Sequence, residues 1–111
     1  HPATKTFQAV RIFINDELRE LQQGVQAAFE SLAIGGRLAV ISFHSLEDRE
    51  VKQAFKALSQ PPSLPRRLPV QDALVAVRGR LVGGPIRAGQ IELDANPRAR
   101  SATLRVIERV A

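Results

Sequence analysis

The chain contains no cysteine, tryptophan, tyrosine or methionine, and five phenylalanines are its only aromatic residues. Without cysteine, disulfides and thiolate metal sites are excluded, and a reducing compartment fits. No stretch approaches the roughly 20 apolar residues that a membrane-spanning helix needs. The start shows no secretory pattern. The expectation is a soluble, cytoplasmic protein without a membrane partner. At 111 residues one domain at most is available, with a modest core. The first residues are His1-Pro2 and not methionine, so a piece of a longer protein is expected.

Charge is present but uneven. Residues 1–58 hold seven Lys/Arg against seven Asp/Glu, whereas residues 59–111 hold nine arginines, no lysine and four acids. The whole formal charge of +5 therefore belongs to the second half. Arginine's planar fork suits phosphate oxygens and stacks on bases. A basic half of this kind points towards nucleic acid. A solvated basic surface is the plainer alternative.

The most informative stretch runs from Gly35-Gly36 through an apolar run to Ser42, and then through Phe43-His44-Ser45-Leu46-Glu47-Asp48-Arg49. An almost wholly apolar run after a glycine turn reads as a strand buried on both faces of a parallel α/β sheet. The polar cluster then falls at the strand's carboxyl end, where such sheets bind their ligands.

Before it, Phe7, Val10, Ile14, Leu18, Leu21, Val25, Ala28 and Leu32 recur at three- and four-residue steps and predict a helix over 4–33. Thr4 or Thr6 is its expected cap, and Gly35-Gly36 its stop. After the cluster, Ser45 reads as an N-cap with Asp48 completing a short capping box. Leu46, Val51, Ala54, Phe55 and Leu58 give a second helix. A proline-rich connection follows at about 59–69, with Arg66-Arg67 inside it. Leu74, Val75, Val77, Leu81 and Val82 favour a strand, Gln90–Ala95 a short helix stopped by Asn96-Pro97, and Thr103 to Val110 a final strand. The last two strands are expected to pair antiparallel. Helix, strand, helix, strand, strand is the order of the closing half of a doubly wound sheet.

Candidate chemistry is sparse. No G-x-G-x-x-G turn links a strand to a helix, so no cofactor loop is visible. Two histidines without further ligands make no metal site. His44 has two readings: a structural histidine hydrogen-bonded to its turn, or a substrate-facing donor, acceptor or base. Ser45 lacks the G-x-S-x-G elbow, which leaves capping. Glu47, Asp48 and Arg49 are either helix-surface charges or an ion pair holding the loop. Arg98 and Arg100, in Asn96-Pro97-Arg98-Ala99-Arg100-Ser101, are either a loop tied to nearby acids or a clamp on phosphate.

Three segments together resemble one family. His1-Pro2-Ala3-Thr4-Lys5-Thr6-Phe7-Gln8-Ala9-Val10-Arg11-Ile12 with Asn15-Asp16-Glu17-Leu18 is similar to its central helix motif. Ile41-Ser42-Phe43-His44-Ser45-Leu46-Glu47-Asp48-Arg49 resembles its most distinctive motif. Asn96-Pro97-Arg98-Ala99-Arg100-Ser101-Ala102 with Leu104-Arg105-Val106 resembles its C-terminal motif. The family is RsmH/MraW, whose members are S-adenosylmethionine-dependent methyltransferases acting on N4 of a cytidine in bacterial 16S ribosomal RNA. Lys5, Ile34 and Ala88-Gly89 depart from its usual pattern, the last weakening the start of the short helix.

The resemblance implies a C-terminal half of a Rossmann-like class I methyltransferase sheet, with residues 1–111 part of the catalytic domain. S-adenosylmethionine would be the cofactor of the intact enzyme, its binding motifs lying upstream of His1 and none of its contacts in this chain. The implied partner is 16S ribosomal RNA in the small ribosomal subunit. Ser42, His44 and Ser45 would lie near the substrate, and Asn96, Arg98 and Arg100 would engage RNA or brace that edge. The chain alone is expected to be inactive and to self-associate through its uncovered sheet. The competing reading is a non-catalytic RNA-binding or scaffold module on the same half-fold.

Overall fold

The computed structural model describes residues 2–60 and 77–111. His1, the proline-rich connection from Pro61 to Pro69, and Leu74 and Val75 of the expected strand lie outside these residues. The elements are α1 (Pro2–Glu30), β1 (Arg37–Ser42), α2 (Ser45–Ser59), β2 (Gly79–Leu81), β3 (Ile86–Arg87), α3 (Gln90–Ala95), a 3-10 turn (Pro97–Ser101) and β4 (Thr103–Arg109). The short helix occupies the expected residues even though Gly89, at its cap position, offers no side-chain bond.

One four-stranded sheet results, and every pairing in it runs antiparallel to β4. β1 lies along one edge of β4, with Leu38 opposite Ile107 and Ser42 opposite Thr103. β2 and β3 share the other edge, where Leu81 faces Ile107 and Ile86 faces Leu104. Five steps on that edge therefore match three on β4, and the surplus is taken up by the turn at Gly83-Gly84-Pro85. Gly83, at φ +71, adopts the left-handed backbone that glycine accepts without penalty. The expected antiparallel pairing of the last two strands is present.

The expected both-face burial of β1 in a parallel sheet is not what these residues build. Among the described residues β1 pairs only with β4, antiparallel, and Ile41 is 57% exposed. The reason is that α1 and α2 cover the same face. Val25 and Phe29 of α1, Val51, Phe55 and Leu58 of α2, and Ile107 of β4 form the core, with Leu38 and Val40 packed against them. Successive strand residues alternate between faces, so Ala39 and Ile41 point to the side these helices leave open.

α1 starts at Pro2, which places Thr4 and Thr6 inside the helix and not at its cap. Its carboxyl half meets the core, whereas Val10, Phe13 and Ile14 of its amino half remain exposed. Phe29 is the fully buried anchor, a position that the 25, 28, 32 rhythm passes over by one residue. The helix ends at Glu30. Its last carbonyls need donors: the Ser31 and Leu32 main-chain N–H groups serve Ala27, Ala28 and Phe29, and Arg109 Nη1 donates to the Glu30 carbonyl at 2.8 Å and, just past the helix, to that of Leu32 at 2.7 Å. Gly35, at φ +89, then turns the chain, and the Arg109 and Gly36 main chains bond as β1 begins.

Close approach of backbone to core distinguishes two glycines. A Cβ on Gly79 would lie 2.8 Å from Ile107 Cδ1 and 3.2 Å from Phe29 Cε2, whereas one on Gly24 would meet nothing within 4 Å. Gly79→Ala is expected to destabilise the fold by about 1–3 kcal/mol through overpacking. Gly24→Ala, within α1, is expected to stabilise by roughly 0.5–1 kcal/mol. Urea midpoints of the two variants, moving in opposite directions from the parent, check the pair.

Candidate functional site

β1 delivers its last residue, Ser42, to the helix-covered side, where it is buried. Two residues later α2 begins. His44 occupies the cap position in extended conformation (φ −129, ψ 147), with no side-chain cap bond, and Ser45 is the first helical residue. The expected capping box is thus absent. The Asp48 main-chain N–H bonds the His44 carbonyl at 3.0 Å, while the Asp48 side chain is committed elsewhere.

That commitment organises the site. Arg105 of β4 donates through Nε to Asp48 Oδ1 at 2.7 Å and through Nη2 to Oδ2 at 2.9 Å. Ser42 Oγ lies 3.4 Å from Asp48 Oδ1, a long hydrogen bond. The pair is largely enclosed, with side chains 20% and 17% exposed. The Arg105 hydrogen bonds hold the Asp48 carboxyl below its ordinary value of 3.8 against the opposing effect of burial, and Ser42 and the nearby Arg87 charge assist. Asp48 in turn raises Arg105. Of the two readings of this acid, the ion pair is the one that the fold realises. A charged residue at an alternate position of an apolar strand demands such a partner, so Arg105 was the available sequence signal.

Around this pair a cleft of about 530 Å³ opens where β1 ends, α2 starts, β3 ends and β4 begins. His44 and Ser45 line it with Arg49, Lys52, Arg87 and Ser101. Lys52 and Arg87 were not singled out from the sequence, and Arg105 entered only within the C-terminal family-like segment, with no role assigned. Ser42 does not line it and serves instead to brace Asp48. Asn96, Arg98 and Arg100 also lie outside its lining. Asn96 Oδ1 accepts from the Arg98 N–H at 3.2 Å and so caps the 3-10 turn. Arg98 and Arg100 are exposed, and neither forms an ion pair among the described residues.

The chemistry on offer is recognition of an anion beside a polar group. Among the described residues lining the cleft, the one acid is already paired, the helix start above it has no side-chain cap, and cations and hydroxyls surround it. A mixed α/β protein with a polar, cation-lined cleft at a strand's end is the class that fold and site define. Comparison narrows it: the model of the MraW methylase family matches residues 1–110, and the chain belongs to that family. It is similar to proteins named ribosomal RNA small subunit methyltransferase H. That of Marinomonas sp. (strain MWYL1) is 51% identical and that of Thioalkalivibrio sulfidiphilus (strain HL-EbGR7) 59% identical, each over 100% of this chain and 36% of the relative. That of Stenotrophomonas maltophilia (strain K279a) is 58% identical over 98% of the chain and 34% of the relative. The chain thus spans about a third of the length of these relatives.

The described residues do not fit a nucleoside-bearing methyl donor. Such a ligand calls for a glycine-rich turn leading from a strand into a helix. Here Gly35-Gly36 precede a strand, Gly83-Gly84 separate two strands, and the β1–α2 turn, Phe43-His44, has no glycine.

Asp48→Asn replaces an ionised acceptor with a neutral one and is expected to destabilise by about 1–2 kcal/mol at neutral pH. Because the folded-state pKa of Asp48 is lowered, its contribution is full above pH 3.8 and is lost as pH falls through the folded-state value. Urea titrations of parent and variant should therefore converge below about pH 4. A constant gap down to pH 2 would contradict the assignment.

Proposed function

We propose that this chain is the C-terminal part of an S-adenosylmethionine-dependent methyltransferase that methylates N4 of a cytidine in 16S ribosomal RNA, acting in the cytoplasm on the small ribosomal subunit. Residues 1–111 form part of its catalytic domain and close a doubly wound, Rossmann-like sheet, with the free edge of β1 continuing into upstream strands. The observation that carries the reading is His44-Ser45, from the family's most distinctive motif, opening into a cleft set with cations. Membership of the MraW methylase family supports it.

The exocyclic amine of cytosine is a poor nucleophile, because its lone pair is delocalised into the ring. It must be held in line with the methyl carbon and must lose a proton. The base must also leave its stack, at a cost of roughly a few kcal/mol. The donor supplies the methyl group when bound, at a site that these residues do not build. This chain's share is to hold the acceptor. His44 and Ser45 offer hydrogen-bonding groups to the base at the cleft mouth. Ser42 and Asp48 fix the turn that presents them. Arg98 and Arg100 bind phosphate outside the cleft, repaying part of the unstacking cost, and Asn96 fixes the turn that carries them.

Labelled methyl transfer to unmethylated small subunits tests the reading. The intact gene product should label a single 16S cytidine and this chain alone should not. His44→Ala in the intact protein should lower turnover roughly 10- to 100-fold with its thermal transition unchanged. RNA binding without any label from the intact protein would favour the non-catalytic module.

The same reading leaves apolar surface open in the isolated chain. Ile41 and Ile86 on the uncovered sheet face are 57% and 51% exposed, and Phe13 on the projecting part of α1 is 65% exposed. The chain on its own should self-associate through these surfaces. Light scattering at high micromolar concentration should give more than the 12.2 kDa monomer mass, and a strictly monomeric mass would refute it.

A further inference from the structure

We propose that Arg49, Lys52 and Lys56 of α2, with Arg87 on the opposite wall, form a track for the sugar–phosphate backbone of single-stranded RNA leading into the His44–Ser45 cleft. The inference rests on the reading of the substrate as RNA and names where its backbone runs.

The sequence hides this track, because residues 1–58 are neutral in sum. The helix reveals it. Positions 49, 52 and 56 are spaced by three and four residues and so share one face of α2. Seven residues at about 1.5 Å rise make a stripe about 10 Å long. All three side chains are exposed.

Among the described residues none of these charges enters an ion pair. The ion pairs among the described residues join Arg19 to Asp16, Arg37 and Arg80 to Glu108, Arg78 to Glu30, and Arg105 to Asp48. Arg49, Lys52, Lys56 and Arg87 enter none of them. Of the acids on α2, Asp48 is held by Arg105, and Glu50 accepts from Gln22 of α1, away from the groove. Glu47 does not line the cleft. Like charges set along one groove repel one another, and a polyanion is the ligand that relieves this repulsion.

The groove extends beyond the cleft. A second hollow of about 390 Å³ lies beside the first, and the two share Lys52 and Arg105. Lys56 borders the second hollow, whose other walls include Phe55, Leu81, Pro85 and Val106. Cations thus run along one side of an apolar trough. That combination distinguishes single strands from duplexes: unpaired bases have apolar faces to lay on such a surface, while a duplex keeps its bases stacked inside. Gly83 and Gly84, on the facing turn, present no side chain to obstruct a strand.

The test uses the intact gene product, a fluorescent single-stranded RNA oligonucleotide and a salt series. Each phosphate contact on a single strand contributes about 0.7 to the slope of log affinity against log salt. The variant R49Q/K52Q/K56Q should therefore lose about 2 from that slope and bind roughly tenfold or more weakly at low salt. R37Q/R80Q, on the opposite sheet face, should leave the slope unchanged. A duplex of the same sequence should be bound more weakly than the single strand by the parent protein. An unchanged slope in the triple variant, with RNA still bound, would overturn the track and leave the methyltransferase reading standing. Track-dependent RNA binding without methyl transfer would do the reverse, and failure of the parent to bind RNA would overturn both. Should the triple variant not fold, K52Q and K56Q singly, each expected to lower the slope by about 0.7, decide the matter.

Discussion

Everything in this structure hangs on β4. A strand of seven residues near the end of the chain is flanked on both edges, by β1 on one side and by β2 and β3 on the other. Its alternation then distributes distinct tasks. Thr103, Arg105, Ile107 and Arg109 face the helices, and the last three each meet a different requirement. Ile107 fills the core between the helices, Arg105 holds the start of α2, and Arg109 takes the Glu30 carbonyl at the end of α1. On the other face Glu108 bridges Arg37 and Arg80 from the two flanking strands, and the Arg37 hydrogen bond leads in keeping its carboxyl below the ordinary range. A one-residue slip in register would exchange these two sets at once.

The same strand explains why the candidate site is electropositive. Asp48 would otherwise face the cleft as a free acid beside His44. Arg105 removes it from play by a two-pronged bond in a largely enclosed position, where such a bond is geometrically specific. Among the described residues, Glu50 accepts from Gln22 of α1 and Glu108 binds Arg37 and Arg80 on the far sheet face, and cations are left around the cleft. The electrostatic character of the site is therefore a product of pairing and not of composition, since the segment carrying α2 has no net charge. A fold that positions its acids in this way prepares a surface for phosphate without any excess of lysine.

The uncovered face has the same origin. Both long helices lie on one side of the sheet, which leaves Ile41 and Ile86 on the other face exposed and Leu104 half-buried. Ala39, Ile41, Leu104 and Ile86 form an apolar surface that is costly in water. The relatives are about three times as long as this chain, and family membership makes a larger sheet the natural setting for it.

Much of this was legible in the residues themselves. The 3.6 rhythm of α1, the glycine turn into β1, the short helix before Asn96-Pro97 and the final apolar strand are local patterns, set by propensity and by the conformational range of glycine and proline, although α1 itself stops at Glu30, ahead of the glycines expected to end it. The three family-like segments also identified the polar turn at His44-Ser45. What escaped was non-local. Whether β1 is covered on one face or two depends on which side its helices choose. The cap falls one residue early, at His44, and the Asp48 side chain, expected to complete a box with Ser45, binds Arg105 instead, 57 residues away in sequence. Lys52, Arg87 and Arg105 come together only when β4 inserts between strands from both halves of the chain. Sequence alone determined where the three α-helices and the first and last strands form, because local geometry and hydrophobic period decide that, while the two-residue β3 went unread. Only the tertiary structure decided which charges survive unpaired to face a ligand, because pairing depends on distances that periodicity does not encode.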